Sequence, residues 1–157
     1  MTAAKTITKL LTARKLTLAT AESCTGGLIS HTLTNIPGSS TFYLGGVIAY
    51  ANDIKARFLG VRNDLIAKHG AVSEPVAKAM ALGIQKKARA DIGIAVTGIA
   101  GPTGGSKTKP VGLVFIAVSS LRKIEVKRFV FRGSRLSVKR QAAEAAMALI
   151  EETLKDA

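Results

Sequence analysis

The spacing of apolar and polar residues along the chain predicts several helices. Apolar residues recur at helical intervals within residues 3–14, and a longer apolar stripe follows Ser134 or Ser137, either of which can begin the last helix. Another helix is expected after Ser73-Glu-Pro75, because a serine N-cap followed by proline in the first turn is a common helix start. Shorter helices are predicted over residues 24–35, from Asn52 or Asp53 to residue 59, and over residues 65–69.

Five further segments have the composition of β-strands. Residues 92–96 and 113–118 are continuous apolar runs, which are typical of strands buried on both faces. Residues 16–21 predict another buried strand, whereas residues 124–131 alternate imperfectly and predict a more exposed one. Residues 42–50 are interrupted by two consecutive glycines, which indicates a bulge or a close backbone approach.

The order of these elements predicts a three-layer α/β/α sandwich. The three strands between residues 92 and 131 include at least one short connection, which implies an antiparallel pair, so the sheet is expected to be mixed. The length is that of one domain, spanning residues 1–157. Because 47% of the residues are hydrophobic and only 4% aromatic, the core is expected to consist of Ala, Val, Ile and Leu.

The net charge of +13 favours an anionic partner, such as nucleic acid, an acidic membrane or a phosphorylated metabolite. The basic residues are dispersed, however, and the densest cluster is Arg132, Arg135, Lys139 and Arg140. No basic stripe interleaved with aromatic residues and no nucleic-acid-binding motif accompanies them. We therefore expect a small phosphorylated ligand rather than nucleic acid.

The expected location is cytoplasmic. The single cysteine, Cys24, cannot form a disulfide within the chain, which is typical of a reducing compartment. The apolar runs are too short for a membrane span, and residues 1–11 lack the features of a secretory signal. Alanine-rich faces of low charge favour a homo-oligomer.

The segment Thr20-Ala-Glu-Ser-Cys-Thr-Gly-Gly27 joins a predicted strand to a predicted helix. Such a turn can present a nucleophile, because the first helical turn has unpaired N–H groups and a positive dipole end. Ser23 would then lie beside oxyanion donors formed by its own N–H and those that follow. The same spacing also fits an N-cap serine with two packing glycines. Glu22 can hydrogen-bond within this site or pair with a lysine.

Three more segments accompany this one: Tyr50-Ala-Asn-Asp-Ile-Lys55, His69-Gly-Ala-Val-Ser-Glu-Pro75 and Thr97-Gly-Ile-Ala-Gly-Pro-Thr-Gly-Gly105. Together the four segments resemble the CinA C-terminal domain, or nicotinamide-nucleotide amidase, family, in family order and across nearly the whole chain. The resemblance implies the same α/β/α architecture. It also implies the stand-alone amidase form, because the chain begins about where the C-terminal domain of longer CinA proteins would begin.

The resemblance further implies a Ser/Lys dyad in which Ser23 is the nucleophile, Lys55 is the base and Tyr50 is a third catalytic residue. The implied reaction is hydrolysis of the carboxamide of nicotinamide mononucleotide to nicotinic acid mononucleotide and ammonia, through an acyl-enzyme and without a cofactor. The residues expected to contact the substrate are Cys24, Thr25, Gly26, Asn52, Thr97, Gly98, Ile99, Ala100, Gly101 and Arg140.

Lysine is favoured as the base because histidine is scarce. His31 lies two helical turns, about 12 Å, beyond Ser23, and His69 is expected at a helix end, where a cation caps carbonyl groups. For Lys55 to act as a base, its pKa must fall from about 10.4 to about 7–8, which burial or a neighbouring cation can cause. A second Ser-x-x-Lys spacing, at residues 106–109, lies in a glycine-rich loop where no helix is expected.

Several of these residues have a second interpretation. Cys24 is a rival nucleophile, since a helix N-terminus lowers the pKa of a thiol, although only one of two adjacent side chains can face the site. Tyr50 can orient Lys55 or stack on a ligand ring, and Asn52 can bind the amide or cap a helix. Arg140 can hold a phosphate or belong to a solvated basic face.

A binding protein without turnover is the alternative function. The CinA name is associated with DNA uptake and damage, and the charge of +13 permits nucleic-acid contact, but the sequence contains no recognisable DNA-reading element. No metal site is expected, because the two histidines are far apart and no carboxylate cluster has the spacing of metal ligands.

Overall fold

The computed structural model describes residues 1–157 as six helices around one five-stranded sheet. The helices are α1 (Ala3–Arg14), α2 (Leu28–Thr34), α3 (Asn52–Leu59), α4 (Asn63–His69), α5 (Glu74–Ala88) and α6 (Arg135–Lys155). The strands are β1 (Leu18–Glu22), β2 (Tyr43–Ile48), β3 (Ile92–Gly98), β4 (Leu113–Ser119) and β5 (Ile124–Val130). None of the helices is both long enough and apolar enough to cross a bilayer.

The sheet is mixed, as predicted. Its strand order is β2-β1-β3-β4-β5, and β1 runs parallel to both of its neighbours. The β3–β4 and β4–β5 pairs are antiparallel. Thr20 at the centre of β1 is opposite Gly46 of β2 and Ile94 of β3. This topology brings the carboxyl ends of β1, β2 and β3 to the same edge of the sheet.

The two faces of the sheet differ in the size of their side chains. The face covered by α1, α2 and α6 carries larger residues: Leu18, Ile92, Ile94, Val96, Val114, Ile116 and Val118. The face covered by α3, α4 and α5 carries small ones, Ala19, Ala21, Ala95 and Ala117. A Cβ at Gly93 would lie 2.4 Å from the Ala81 carbonyl oxygen, so a glycine there lets α5 approach the sheet closely. The core is aliphatic, as the composition predicted.

The paired glycines of β2 have both of the predicted features. The register of β1 against β2 shifts between Leu18, which is opposite Tyr43, and Ala19, which is opposite Gly45, so Leu44 has no partner and the strand bulges just before the two glycines. A Cβ on the second of them, Gly46, would lie 2.0 Å from Thr20 Oγ1 and 2.9 Å from the Tyr43 hydroxyl. Only a glycine leaves room for those two hydroxyl groups.

Some predicted element boundaries were wrong. Helix α2 begins at Leu28 rather than at residue 24, because Gly26 and Gly27 have φ angles of +60° and +102°, which interrupt a right-handed helix. Strand β1 begins at Leu18 rather than at residue 16, because the N–H and hydroxyl of Thr17 both donate to the Asp91 carboxylate.

Two predicted helix caps also differ. Ala51 occupies the N-cap position of α3, so Asn52 lies in the first turn instead. Ser73 does occupy the N-cap of α5, but its hydroxyl donates to the Gly70 carbonyl (2.8 Å) and not to the helix.

Candidate active site

Three segments that are distant in sequence meet at the carboxyl ends of the parallel strands. Ser23 directly follows β1, Tyr50 lies two residues beyond β2, and Gly98 ends β3. Helix α3 begins just after Tyr50 and carries Lys55 within its first turns. Open α/β sheets bind ligands at this kind of edge.

Backbone hydrogen bonds fix Ser23 from both sides. Its N–H donates to the Val96 carbonyl in β3 (3.0 Å), and its carbonyl accepts from the N–H of Gly26 (3.1 Å). The left-handed conformations of Gly26 and Gly27 then redirect the chain into α2. Ser23 is 7% exposed, so it is held firmly and still reachable from the cavity.

Strand alternation decides which way Ser23 faces. Successive side chains at the end of β1 point to opposite faces of the sheet. The Ala21 side chain packs in the cluster under α5, and the Glu22 side chain turns to the other face, where it bonds to α2. Ser23 comes next and lies against Lys55 of α3. A nucleophile one residue earlier, at the position of Glu22, would face α2.

Lys55 is 1% exposed, although it is a lysine on an otherwise surface-lying helix. Its Nζ lies 3.2 Å from Ser23 Oγ and 3.1 Å from the Tyr50 carbonyl oxygen. It belongs to none of the ion pairs in the protein. Burial therefore lowers the pKa of Lys55 from its ordinary value, because the charged form has lost water and gained no carboxylate. This is the change that a general base requires.

The thiol of Cys24 has the opposite character. Burial raises the pKa of Cys24 to about 12, so the thiol is neutral at ordinary pH. A Cβ at Gly98 would lie 3.1 Å from its Sγ, which shows how closely the sulfur packs against the end of β3. Since the thiolate is the reactive form, these surroundings favour Ser23 over Cys24 as the nucleophile.

The predicted oxyanion donors need one correction. The N–H of Ser23 is already engaged with Val96 and cannot serve. The N–H groups of Cys24, directly after Ser23, and of Ala100 are among those of the lining residues that have no acceptor within the protein. They come from separate segments, the turn after β1 and the loop after β3. Backbone donors without an acceptor near a serine hydroxyl are the groups from which an oxyanion hole can be built.

A cavity of about 180 Å³ opens onto Ser23 and Lys55. Its lining includes eight of the residues predicted for the site, namely Ser23, Cys24, Tyr50, Asn52, Lys55, Thr97, Gly98 and Ala100. The other three are Ala71, Val72 and Arg135. Tyr50 is 60% exposed at the mouth, where its hydroxyl accepts a hydrogen bond from Arg135 (2.9 Å) while its carbonyl accepts one from Lys55.

Four of the other predicted contact residues support the site without lining it. Thr25 is buried and donates its hydroxyl to the Glu22 carboxylate (2.7 Å). Gly26 lies under Lys139, whose Nζ would be 3.5 Å from a Cβ at that position. Ile99 is tied by its N–H to the Leu113 carbonyl (2.8 Å), and the Gly101 carbonyl accepts from Arg135 (2.7 Å).

Arg140, the basic residue predicted to contact the substrate, does not lie at this cavity. It is exposed on α6 and does not line the site, whereas Arg135 at the start of the same helix does. Lys139 is four residues after Arg135 and shares its helix face, while Arg140 is turned about 100° further round. Basic character at the start of α6 was visible in the sequence, but choosing among neighbouring residues needed the rotation of the helix.

Ala71 and Val72 were not singled out from the sequence, although they lie in one of the four segments that carry the family resemblance. The structure places this segment beside β3, where the Thr97 hydroxyl donates to the Ala71 carbonyl (2.9 Å). Their membership in the resembling segment 69–75 was the available signal. Neither side chain has reactive chemistry, so residue type gave no indication.

Other features do not enlarge the site. A larger cavity of about 500 Å³ lies at the opposite edge of the sheet, lined partly by Arg14, Asp91 and Arg122, and it contains none of the predicted residues. His31 is exposed on α2, where its ring contacts the side chain of Asn35. No cluster of His, Cys, Asp and Glu side chains has a metal-binding arrangement.

The sequence is similar to those of known proteins. The family model of the CinA C-terminal domain matches residues 1–154. A putative competence-damage inducible protein of Moorella thermoacetica is 51% identical over 93% of the chain, and a CinA-like protein of Gemmatimonas aurantiaca is 53% identical over 85%. The chain spans about a third of the length of these relatives, 35% and 31% respectively.

Solved structures match over nearly their whole length. A CinA superfamily protein of Klebsiella pneumoniae has a TM-score of 0.95 at 38% identity, with 99% of this chain and 97% of that chain covered. A competence/damage inducible protein of Agrobacterium tumefaciens has a TM-score of 0.94 at 38% identity, with 98% and 93% covered. The fold and site thus define an α/β/α domain with a buried serine–lysine pair at the ends of parallel strands. The chain belongs to the CinA C-terminal domain family.

Proposed function

We propose that this chain is an amidase that hydrolyses the carboxamide of nicotinamide mononucleotide to nicotinic acid mononucleotide and ammonia. The observation that carries the proposal is the 3.2 Å separation of Lys55 Nζ and Ser23 Oγ, both buried at the edge of the sheet where ligands bind. The substrate comes from the resemblance of the four sequence segments to nicotinamide-nucleotide amidases.

Acylation begins when the neutral amine of Lys55 takes the hydroxyl proton of Ser23 while Oγ attacks the carboxamide carbon. The N–H groups of Cys24 and Ala100 donate to the oxyanion that develops. The Lys55 ammonium then gives its proton to the leaving nitrogen, the C–N bond breaks, and ammonia departs. An ester between Ser23 and the nicotinoyl group remains.

Deacylation repeats these steps with water as the nucleophile. Lys55 accepts a proton from water, hydroxide oxygen bonds to the acyl carbon, and Ser23 leaves with the proton returned by Lys55. The Tyr50 carbonyl accepts a hydrogen bond from Lys55 throughout and holds its amine toward Ser23. The same lysine therefore acts as base and acid in both halves of the reaction.

The size of the cavity divides the substrate into two parts. A volume of about 180 Å³ fits a pyridine ring and its carboxamide, but it is below the range of about 300–1,000 Å³ that encloses a drug-sized ligand. The ribose and phosphate would then lie at the mouth. Arg135 lines the cavity, and Lys139 follows it on the same helix face with its Nζ beside Gly26. Neither residue forms an ion pair, so they are the cations we assign to the phosphate.

The decisive experiment is ammonia release from nicotinamide mononucleotide by the wild-type protein, by Ser23→Ala and by Cys24→Ala. We expect turnover by the wild type, none by Ser23→Ala and near-normal turnover by Cys24→Ala. Turnover that survives in Ser23→Ala but not in Cys24→Ala would transfer the nucleophile to the thiol. No turnover by the wild type, with salt-dependent DNA binding, would favour the alternative of a binding protein.

The phosphate assignment has its own matched pair of variants. Arg135→Ala should raise KM for the mononucleotide about 10- to 100-fold, the range of a charge-assisted hydrogen bond. It should leave KM for the phosphate-free riboside unchanged. Arg140→Ala, from the same helix but the other face, should change neither constant. Equal effects of the two variants would remove Arg135 from the substrate site.

A further inference from the structure

We propose that Glu22 is a positioning residue, which holds the Ser23 turn in its reactive geometry by closing the amino end of α2. The inference rests on the proposed Ser23/Lys55 chemistry and adds a residue that takes no proton and touches no substrate. It follows from the contacts of one buried carboxylate.

The Glu22 carboxylate is 1% exposed and every lone pair has a donor. Oε1 accepts from the Thr25 hydroxyl (2.7 Å) and from the Ile29 N–H (2.9 Å). Oε2 accepts from the N–H of Ser30 (3.1 Å) and from its hydroxyl (2.6 Å). No lysine or arginine pairs with it. The positive end of α2 therefore serves this internal anion and not a ligand.

These bonds bracket the nucleophile. Glu22 lies immediately before Ser23, and its partner Thr25 lies two residues after it. The turn is thus closed once through the backbone, by Gly26 N–H to the Ser23 carbonyl, and a second time through the Glu22 side chain. Because Ile29 and Ser30 belong to α2, the carboxylate also locks the helix to the end of β1. The Cys24 N–H, between the two closures, is left free.

A chain of hydroxyl groups from β1, β2 and α2 leads to the carboxylate and orients it. The Ser30 hydroxyl donates to Glu22, so it accepts the hydrogen bond that Tyr43 donates (2.8 Å). Thr20 Oγ1 lies 2.8 Å from the Tyr43 hydroxyl. The missing side chain of Gly46 makes room for this cluster, which extends from β2 to the nucleophile turn. A network with every member satisfied rigidifies its surroundings.

The test compares Glu22→Gln with Glu144→Gln, a matched change at an exposed position of α6. The amide nitrogen of glutamine donates hydrogen bonds and cannot accept them. Placed at Oε2 it faces the N–H of Ser30, and placed at Oε1 it faces the N–H of Ile29, so the turn must shift in either case. Two rates are measured: kcat on nicotinamide mononucleotide, and phosphonylation of Ser23 by an alkyl phosphonofluoridate. In that reaction Ser23 Oγ bonds to phosphorus, fluoride leaves, and Lys55 takes the proton.

We expect both rates to fall about 100-fold in Glu22→Gln, the effect of a misplacement near 1 Å, with KM unchanged. Glu144→Gln should match the wild type. Wild-type values of both rates in folded Glu22→Gln would overturn the proposal and leave Glu22 a purely structural residue. Should Glu22→Gln not fold, Thr25→Val removes a single donor; both rates should fall about tenfold, and unchanged rates again overturn the proposal.

The two rates separate this proposal from the proposed function. Wild-type protein that is phosphonylated at Ser23 but does not hydrolyse the mononucleotide contradicts the substrate alone, and the phosphonylation rates still decide the role of Glu22. Wild-type protein that is not phosphonylated has no activated serine, and that result overturns both proposals.

Discussion

Glu22 and Lys55 are buried equally, at 1% exposure each, and lie on opposite sides of Ser23, but the protein treats their charges differently. The Glu22 carboxylate accepts four hydrogen bonds from α2 and the turn. The Lys55 amine has two neighbours, the Ser23 hydroxyl and the Tyr50 carbonyl, and no carboxylate. Burial lowers the pKa of Lys55 because nothing replaces the water that its charged form has lost.

The difference shows how one turn combines rigidity with reactivity. A buried charge is tolerated when donors fill its lone pairs, and such a group becomes part of the scaffold. A buried amine that lacks a counter-charge is destabilised as a cation, so a larger fraction of it is neutral and able to take the Ser23 proton, and its ammonium form then releases that proton readily. We assign the first role to Glu22 and the second to Lys55.

The largest expected effect is the loss of activity in Lys55→Met. Methionine fills the volume of the lysine stem but removes the base, so kcat should fall by about 10²–10⁴, the usual contribution of a general base. The free energy of unfolding should stay equal or rise, because a desolvated amine is replaced by an apolar side chain. Ammonia release and urea denaturation measure the two quantities, with Lys78→Met, exposed on α5, as the control. Unchanged turnover would exclude Lys55 as the base.

In contrast to Lys55→Met, Glu22→Leu should mainly lower the free energy of unfolding. The N–H groups of Ile29 and Ser30 lose their acceptor, and each buried donor left unpaired costs about 1–3 kcal/mol. We expect the free energy of unfolding to fall by about 2–6 kcal/mol from these two groups together. Urea denaturation of Glu22→Leu beside Glu144→Leu measures it. A loss below about 1 kcal/mol would mean that α2 re-forms its cap without the carboxylate.

The smallest effect is the pH dependence of stability that Lys55 contributes. Its native pKa lies below 10.5, so between that native value and 10.5 the unfolded chain binds more protons than the native one. Stability of the wild type should therefore rise with pH in this window relative to Lys55→Met, by at most about 1.4 kcal/mol per pH unit. Parallel urea denaturations across this range measure the difference. Identical pH profiles would show that the native pKa is not lowered.

The same lowered pKa predicts that kcat/KM increases with pH and levels off once Lys55 is neutral. In Lys55→Met this limb of the profile should be absent from any residual activity.

Much of the fold could be predicted because its signals are local. Helix α1 was predicted over residues 3–14 and occupies Ala3–Arg14, since its apolar spacing and its ends depend on neighbours within a few residues. The short β4–β5 connection was enough to predict a mixed sheet. The start of α2 was missed by four residues, because the backbone angles of Gly26 and Gly27 depend on how the turn closes on Glu22 and Val96.

The sequence by itself determined the layered α/β/α architecture, the aliphatic core and, through four family-like segments, Ser23 and Lys55 as the chemical candidates. Only the tertiary structure decided that burial strips Lys55 of water, that the Ser23 N–H is already used, and that Arg135 rather than Arg140 faces the cavity. The physical reason is the distance along the chain over which each kind of interaction acts. Periodicity and turn chemistry act between residues a few positions apart, whereas burial, donor satisfaction and helix rotation depend on the packing of segments up to about a hundred residues apart.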